Sequence, residues 1–134
     1  MKKVLFGSFI LIVLAISACG ASGSSNDEPT HELIPVEYVG KSNPLSADAA
    51  EPGAVTFKST CANCHGEEGR GDGPASSSLN PMPKNLAELQ AQVGDDYLFW
   101  KISDGSLGTA MVGWKGILTE EQIWELVAFI RTLK

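Results

Sequence analysis

A chain of 134 residues has room for one domain of ordinary size. Its 10 basic and 16 acidic residues leave a net charge of −6, which excludes nucleic acid as an expected partner. An acidic surface instead suits a soluble face and a partner that presents a basic docking patch.

The first 18 residues, "MKKVLFGSFILIVLAISA", set Lys2 and Lys3 before an apolar run from Val4 to Ile16 and finish on small residues. That order predicts a secretory signal peptide over 1–18, too short and wrongly flanked for an ordinary membrane span. Ile16-Ser17-Ala18-Cys19 resembles the bacterial lipobox: an aliphatic residue, two small residues, then cysteine. By that resemblance Cys19 is the lipidation site and becomes the first residue of the mature chain. Several acyl chains, at about 0.8 kcal/mol per buried methylene, hold a protein on a membrane that it does not cross. Loss of Lys2 and Lys3 leaves 8 basic and 16 acidic residues, a mature net charge of −8.

Residues 19–50 are expected to form a lipidated flexible tether. From Gly20 to Ala50 they carry Gly, Ser, Asn, scattered Pro, five acids and one lysine. As a flexible coil this stretch would span roughly 30 Å. The patch "HELIPVEYVG" is apolar enough to lie along a folded domain, and His31 reads as a solvated tether residue.

The folded domain is expected over 51–134, all-α, with a small core that calls for a staple. Glu51 to Ala62 predicts a helix with Pro52 in its first turn. A loop of Gly, Ser and Pro follows over 66–84, then a short helix over 85–92. Asp95 to Ser103 begins with acids suited to a helix N-terminus and stops before Asp104-Gly105. Thr119 and Gln122 form a capping-box pattern, and Ile123, Leu126, Val127, Ile130 and Leu133 recur at helical spacing behind it. No strand pattern of useful length and no internal repeat is present.

The stretch "CANCHGEEGRGDGP", Cys61 to Pro74, carries the chemistry. Cys61, Cys64 and His65 form C-x-x-C-H, the attachment signature for one covalently bound c-type haem. Two thiols add across two vinyl groups of a porphyrin, two intervening residues span their separation, and the histidine offers Nε2 to the iron. A thioredoxin-like pair would need a βαβ context, which is absent. A zinc site would need a fourth ligand, and only distant His31 is left once Cys19 is lipidated. A plain disulfide would leave His65 without a role. "GEEGRGDG" lacks the signatures of a phosphate or calcium loop.

A sixth iron ligand is sought among Met82 and Met111. Met111 lies in "GTAMVGW", a Gly-bounded loop between two helices, from which its thioether can reach the face opposite His65. Met82, between Pro81 and Pro83, follows His65 too closely. Tyr97, Trp100 and Trp114 are open to two readings, haem lining or ordinary packing. Arg70 is either a propionate partner or a solvated surface residue.

From about Glu51 to Lys134 the chain resembles class I c-type cytochromes, on the early C-x-x-C-H, the distant methionine and the terminal helix. The resemblance implies an all-α fold around one haem, His65/Met111 ligation and electron transfer without substrate chemistry. It implies that Gly53 and Phe57 of the first helix meet Leu126 and Phe129 of the last. It also implies that the Pro83 carbonyl accepts from His65 Nδ1–H. One departure is Val112, where relatives often carry proline after the ligand methionine.

The expected function is single-electron transfer between membrane-associated redox proteins outside the cytoplasm, with the lipid anchor facing the periplasm or extracytoplasmic space. Two rivals stand beside it. One is a fixed haem subunit of a larger respiratory or dehydrogenase complex. The other is a haem sensor or enzyme with a labile sixth ligand.

Overall fold

The computed structural model describes residues 32–134. The leader over 1–18, the lipidation site Cys19 and His31 lie outside the described residues. Among the described residues there are five α-helices and no strand, only the isolated bridges Gly105–Val112 and Lys115–Leu118. None of these helices is long and apolar enough to cross a membrane.

The scaffold is a crossing of the first and last long helices. In α1 (Ala50–Thr60) Glu51 complements the positive helix start, and Pro52 sits in the first turn, where its missing N–H has no partner to lose. Gly53 and Phe57, one turn apart, form its buried face. The last helix, α5 (Glu120–Ile130), starts with the capping box expected from its sequence. Thr119 Oγ1 accepts from Gln122 N at 3.2 Å, and Gln122 Oε1 accepts from Thr119 N at 2.9 Å. Behind that cap Ile123, Trp124, Leu126, Val127 and Ile130 turn inward. The helix ends at Ile130, before the Leu133 expected to extend it, yet Leu133 is still buried in the same core.

Gly53 decides how closely the two helices approach. A Cβ there would stand 2.0 Å from the Glu125 carbonyl oxygen and 3.0 Å from Phe129 Cβ. Only glycine lets α1 rest on the backbone of α5. The contact brings the Phe57 and Phe129 rings to 5.0 Å, tilted at 52°. Phe57, Leu126 and Val127 are fully buried beside it, each contributing roughly 1.5–3 kcal/mol through apolar area removed from water. The expected meeting of Gly53 and Phe57 with the last helix is thus observed.

The third long element, α4 (Asp95–Asp104), begins with Asp95 and Asp96 and stops at Gly105. It buries Leu98, Phe99, Trp100 and Ile102, and Phe99 stacks on Trp124 of α5 at 4.1 Å. Arg131, just past α5, locks the turn before α4. Its Nε donates to Asp95 Oδ1 at 2.8 Å, its Nη2 donates to the Val93 carbonyl at 2.9 Å, and it also reaches the Gln90 carbonyl.

The folded body starts before the expected boundary at Glu51. Residues 32–46 form a strap laid across α4 and α5, and a 3-10 turn over Ala47–Ala49 leads into α1. Tyr38 is buried and donates its hydroxyl to Asp104 Oδ1 at 2.7 Å. Gly40 N and Asn43 N donate to Asp96 Oδ2 and Asp95 Oδ2 at 2.9 and 3.1 Å. Asn43 Nδ2 donates to the Trp124 carbonyl at 2.8 Å. Glu32 pairs with Lys101, whose ammonium stands 4.0 Å over the Trp100 ring. The strap is polar enough to read as tether, but it hydrogen-bonds to groups over fifty positions away, which local composition does not reveal.

Candidate functional site

The first helix does not run through to Ala62 as expected. It breaks at Cys61 (φ −111°, ψ −34°) and resumes as the single turn α2 (Ala62–His65). Cys61 N still bonds the Phe57 carbonyl at 2.8 Å. Cys64 N and His65 N both donate to the Cys61 carbonyl, at 3.1 and 2.9 Å. The two cysteines are therefore one helical turn apart and share a face, with His65 next to the second. Both thiols are free and half-buried.

A turn this short leaves its last carbonyls without helical partners. The glycine-rich loop supplies them. Gly71 N donates to the His65 carbonyl at 2.8 Å, Gly73 N to the Cys64 carbonyl at 3.2 Å, and Ala75 N to the Asn63 carbonyl at 2.9 Å. "GEEGRGDGP" thus serves as a backbone cradle for the C-x-x-C-H turn. The alternate glycines 69, 71 and 73 were the signal in the sequence, although no motif assigned them a purpose.

His65 Nδ1 lies 3.3 Å from the carbonyl oxygen of Lys84. This corrects the expectation for Pro83, one residue earlier. The Pro83 carbonyl is turned instead toward Gly71, where an added Cβ would stand 2.4 Å from it. A carbonyl only accepts, so Nδ1 carries the hydrogen and Nε2 keeps a lone pair. Burial holds His65 below the ordinary histidine range, and the Lys84 carbonyl only partly offsets this. The imidazole is therefore neutral, as a ligand must be.

Burial also pushes the Cys61 thiol up; the Thr60 hydroxyl 3.3 Å from its sulfur eases the shift and Cys64 adds to it. Reactive redox cysteines show the reverse, a thiol pKa pulled down by positive surroundings. Among the described residues no three His, Cys, Asp or Glu side chains converge as a metal cage. The donor set fits covalent haem: two thiols on one face, and a neutral histidine with its distal nitrogen free and its proximal nitrogen pinned.

The other sequence candidates fall into three groups. Met111 is half-buried in a closed loop, with Ser106 N donating to its carbonyl at 3.0 Å and Thr109 Oγ1 accepting from its N–H at 3.1 Å. Met82 is 58% exposed. Trp100 is buried and Tyr97 packs edge-on against it at 5.8 Å, while Trp114 is partly buried against the core. Arg70 is exposed and makes none of the observed ion pairs.

A C-x-x-C-H turn cradled beside a glycine-tight crossing of first and last helices defines a small all-α c-type cytochrome domain. The chain belongs to the family described as cytochrome C oxidase, cbb3-type, subunit III, matched over residues 48–130. The family carries electrons on haem c and is not an enzyme in itself. Among solved structures, the chain is similar to one in the reducing HAO-like protein complex of Kuenenia stuttgartiensis, at 23% identity and a TM-score of 0.60. That likeness covers 68% of this chain and 47% of the other, so this chain spans about half the length of its structural neighbour. No curated protein matches it.

Proposed function

We propose that this chain is an exported, lipid-anchored, single-electron carrier with one covalently held haem. Cys61 and Cys64 form the thioether bonds, and His65 and Met111 are the axial ligands. The carrying observation is the hydrogen bond between His65 Nδ1 and the Lys84 carbonyl, which aims a neutral Nε2 away from the backbone. Met111 is preferred over Met82 because it is half-buried in a loop closed by the Gly105–Val112 bridge, whereas Met82 is exposed. Bound haem supplies an iron centre that exchanges one electron, and methionine ligation raises its potential.

The protein's own residues hold that centre and keep water from it. The Lys84 carbonyl orients the imidazole and increases its basicity, as ligand-supporting hydrogen bonds do. Apolar side chains that exclude water from the haem would disfavour the extra charge of ferric iron. Cys19 carries the lipid anchor, placing the domain on the outer side of a bacterial membrane, where redox proteins donate and accept the electron.

A second reading, a fixed subunit of a larger redox complex, is favoured by one observation. Leu107 and Val112, on either side of Met111, are 98% and 61% exposed and would suit a permanent partner. Visible spectra of the purified holoprotein, oxidised and reduced, test the main reading. Sharp reduced c-type bands that ignore carbon monoxide are expected. A ready response to carbon monoxide would refute His/Met ligation and favour a sensor or enzyme with a labile sixth site. Stoichiometric co-purification with a second haem protein would favour the fixed subunit.

A further inference from the structure

The strap carries an outward face that the electron-transfer reading does not use. Its inward groups pin it, through Tyr38 to Asp104, Asn43 to Trp124 and Glu32 to Lys101. Between those pins three apolar side chains project into solvent: Leu33 and Val36 at 88% exposure and Val39 at 61%. Single exposed hydrophobics are ordinary, but three within seven positions, on backbone held rigid from behind, form a patch.

Two cations flank the same strap. Lys41 and Lys115 each stand 6.0 Å over the Tyr38 ring, and Lys41 lies 5.3 Å over Phe99. Both border a cleft of about 240 Å³ floored by Tyr38, Phe99 and Ile123, with Glu37 and Glu120 also on its wall. Neither lysine is in an ion pair among the described residues, whereas Lys58, Lys101 and Arg131 all are.

We infer that the strap is a membrane-docking face. Leu33, Val36 and Val39 enter the bilayer interface, and Lys41 and Lys115 meet lipid phosphates. The length of chain before the strap selects this occupant. Cys19 and Glu32 are 13 positions apart, so even a fully extended connection reaches at most about 45 Å. The strap is therefore the part of the folded body nearest in sequence to an anchored Cys19, and it stays within that reach of the lipid. The inference rests on the lipid-anchored reading, and it gives the domain a preferred orientation, strap toward lipid, in place of free rotation.

The test supplies an anchor artificially, so that it does not depend on lipidation. Full-chain holoprotein with Cys19→Ser and an N-terminal polyhistidine is tethered to nickel-chelating vesicles of phosphatidylcholine and phosphatidylglycerol. A bimane is attached at Val36→Cys or, as control, at Val55→Cys on α1, which is also exposed. Nitroxide-bearing lipid should quench the position-36 probe and spare the position-55 probe. Each apolar side chain withdrawn from water favours docking by roughly tenfold. Leu33→Ser with Val39→Ser, in exposed positions that do not threaten folding, should therefore lower the docked fraction about a hundredfold and return quenching at 36 to the control value. Lys41→Gln with Lys115→Gln should weaken quenching on vesicles containing phosphatidylglycerol. Equal quenching at 36 and 55, or quenching at 36 that survives the double serine change, overturns the docking face. Mass spectrometry of the N-terminal residue of the native protein separately decides the lipid anchor.

Discussion

Replacing Gly53 by alanine tests the crossing that supports the whole site. The new Cβ would lie 2.0 Å from the Glu125 carbonyl oxygen, 2.6 Å from its carbon and 3.0 Å from Phe129 Cβ. An ordinary carbon–oxygen contact needs about 3.3 Å, so α1 and α5 must part locally by about 1 Å. Both obstructing atoms at Glu125 are backbone, so no rotamer change relieves the clash. A gap of that size forfeits a quarter to a half of the dispersion well between facing atoms, and the Phe57–Phe129 pair lies in it. Overpacking of this kind typically costs up to about 3 kcal/mol, occasionally more. Alanine returns about 1 kcal/mol through its better helix propensity. A net loss of about 1–2 kcal/mol follows, and a domain of this size should lose roughly 4–16 °C in Tm. The assay is thermal unfolding of the holoprotein by far-UV circular dichroism, with Val55→Ala on the exposed side of α1 as control, expected within about 0.5 kcal/mol of wild type. A Gly53→Ala protein as stable as wild type would refute the argument, because propensity would then outweigh the close approach.

Cys61→Ala with Cys64→Ala should abolish haem that survives denaturing gel electrophoresis; haem staining unchanged in the double variant would remove the attachment reading. Met111→Ala should open the sixth site, giving rapid carbon monoxide binding and a lower midpoint potential, whereas Met82→Ala should do neither. Gly71→Ala should disturb His65 from a distance: φ is +79°, where an alanine costs about 1–2 kcal/mol, and its Cβ would press on the Pro83 carbonyl next to the Lys84 acceptor. A shifted imidazole signal by NMR and a lower Tm are expected together; a Tm loss alone would mean that the cradle does not position the histidine. Burial, reinforced by Asp104, pushes the Tyr38 phenol up to about 12 from its ordinary 10. The unfolded chain releases that proton first, so the contribution is full below pH 10 and is lost as pH rises toward 12. Burial raises Tyr97 as well, so alkaline titration by tyrosinate absorbance should show two late phases, one of which Tyr38→Phe removes, and that variant should flatten the stability loss above pH 10.

The strap changes what the proposed lipid anchor could do. A tether of 31 residues would let the domain roam between partners; with folding from Glu32 onward, only the stretch from Cys19 to Glu32 is left to span. Shorter connections raise effective concentration near the membrane and restrict reach. Electron transfer would then favour partners in the same membrane over soluble ones.

Local chemistry made most of this protein legible in its sequence. C-x-x-C-H points to the family because the spacing of two thiols and a histidine suits one particular group, a porphyrin with two vinyl arms and an iron. The capping box at Thr119 and Gln122 and the apolar spacing behind it define α5 because helix starts and buried faces depend on residues three and four apart. Gly53 was legible only through the family resemblance, and its physical reason, a backbone carbonyl 2.0 Å from where a Cβ would be, is tertiary. Three features needed the folded chain. The strap is held by Asp95, Asp96, Asp104 and Trp124, all distant in sequence, so its polar composition resembled a tether. The break at Cys61 arises where the chain must turn C-x-x-C-H out of α1 and onto the loop amides that complete its hydrogen bonds. The acceptor for His65 moved from Pro83 to Lys84 because Gly71 packs against the proline's carbonyl, a contact between two loop segments that no spacing rule contains. Residue identity selects the chemistry, while the direction of a backbone carbonyl is settled only when distant segments compete for the same space.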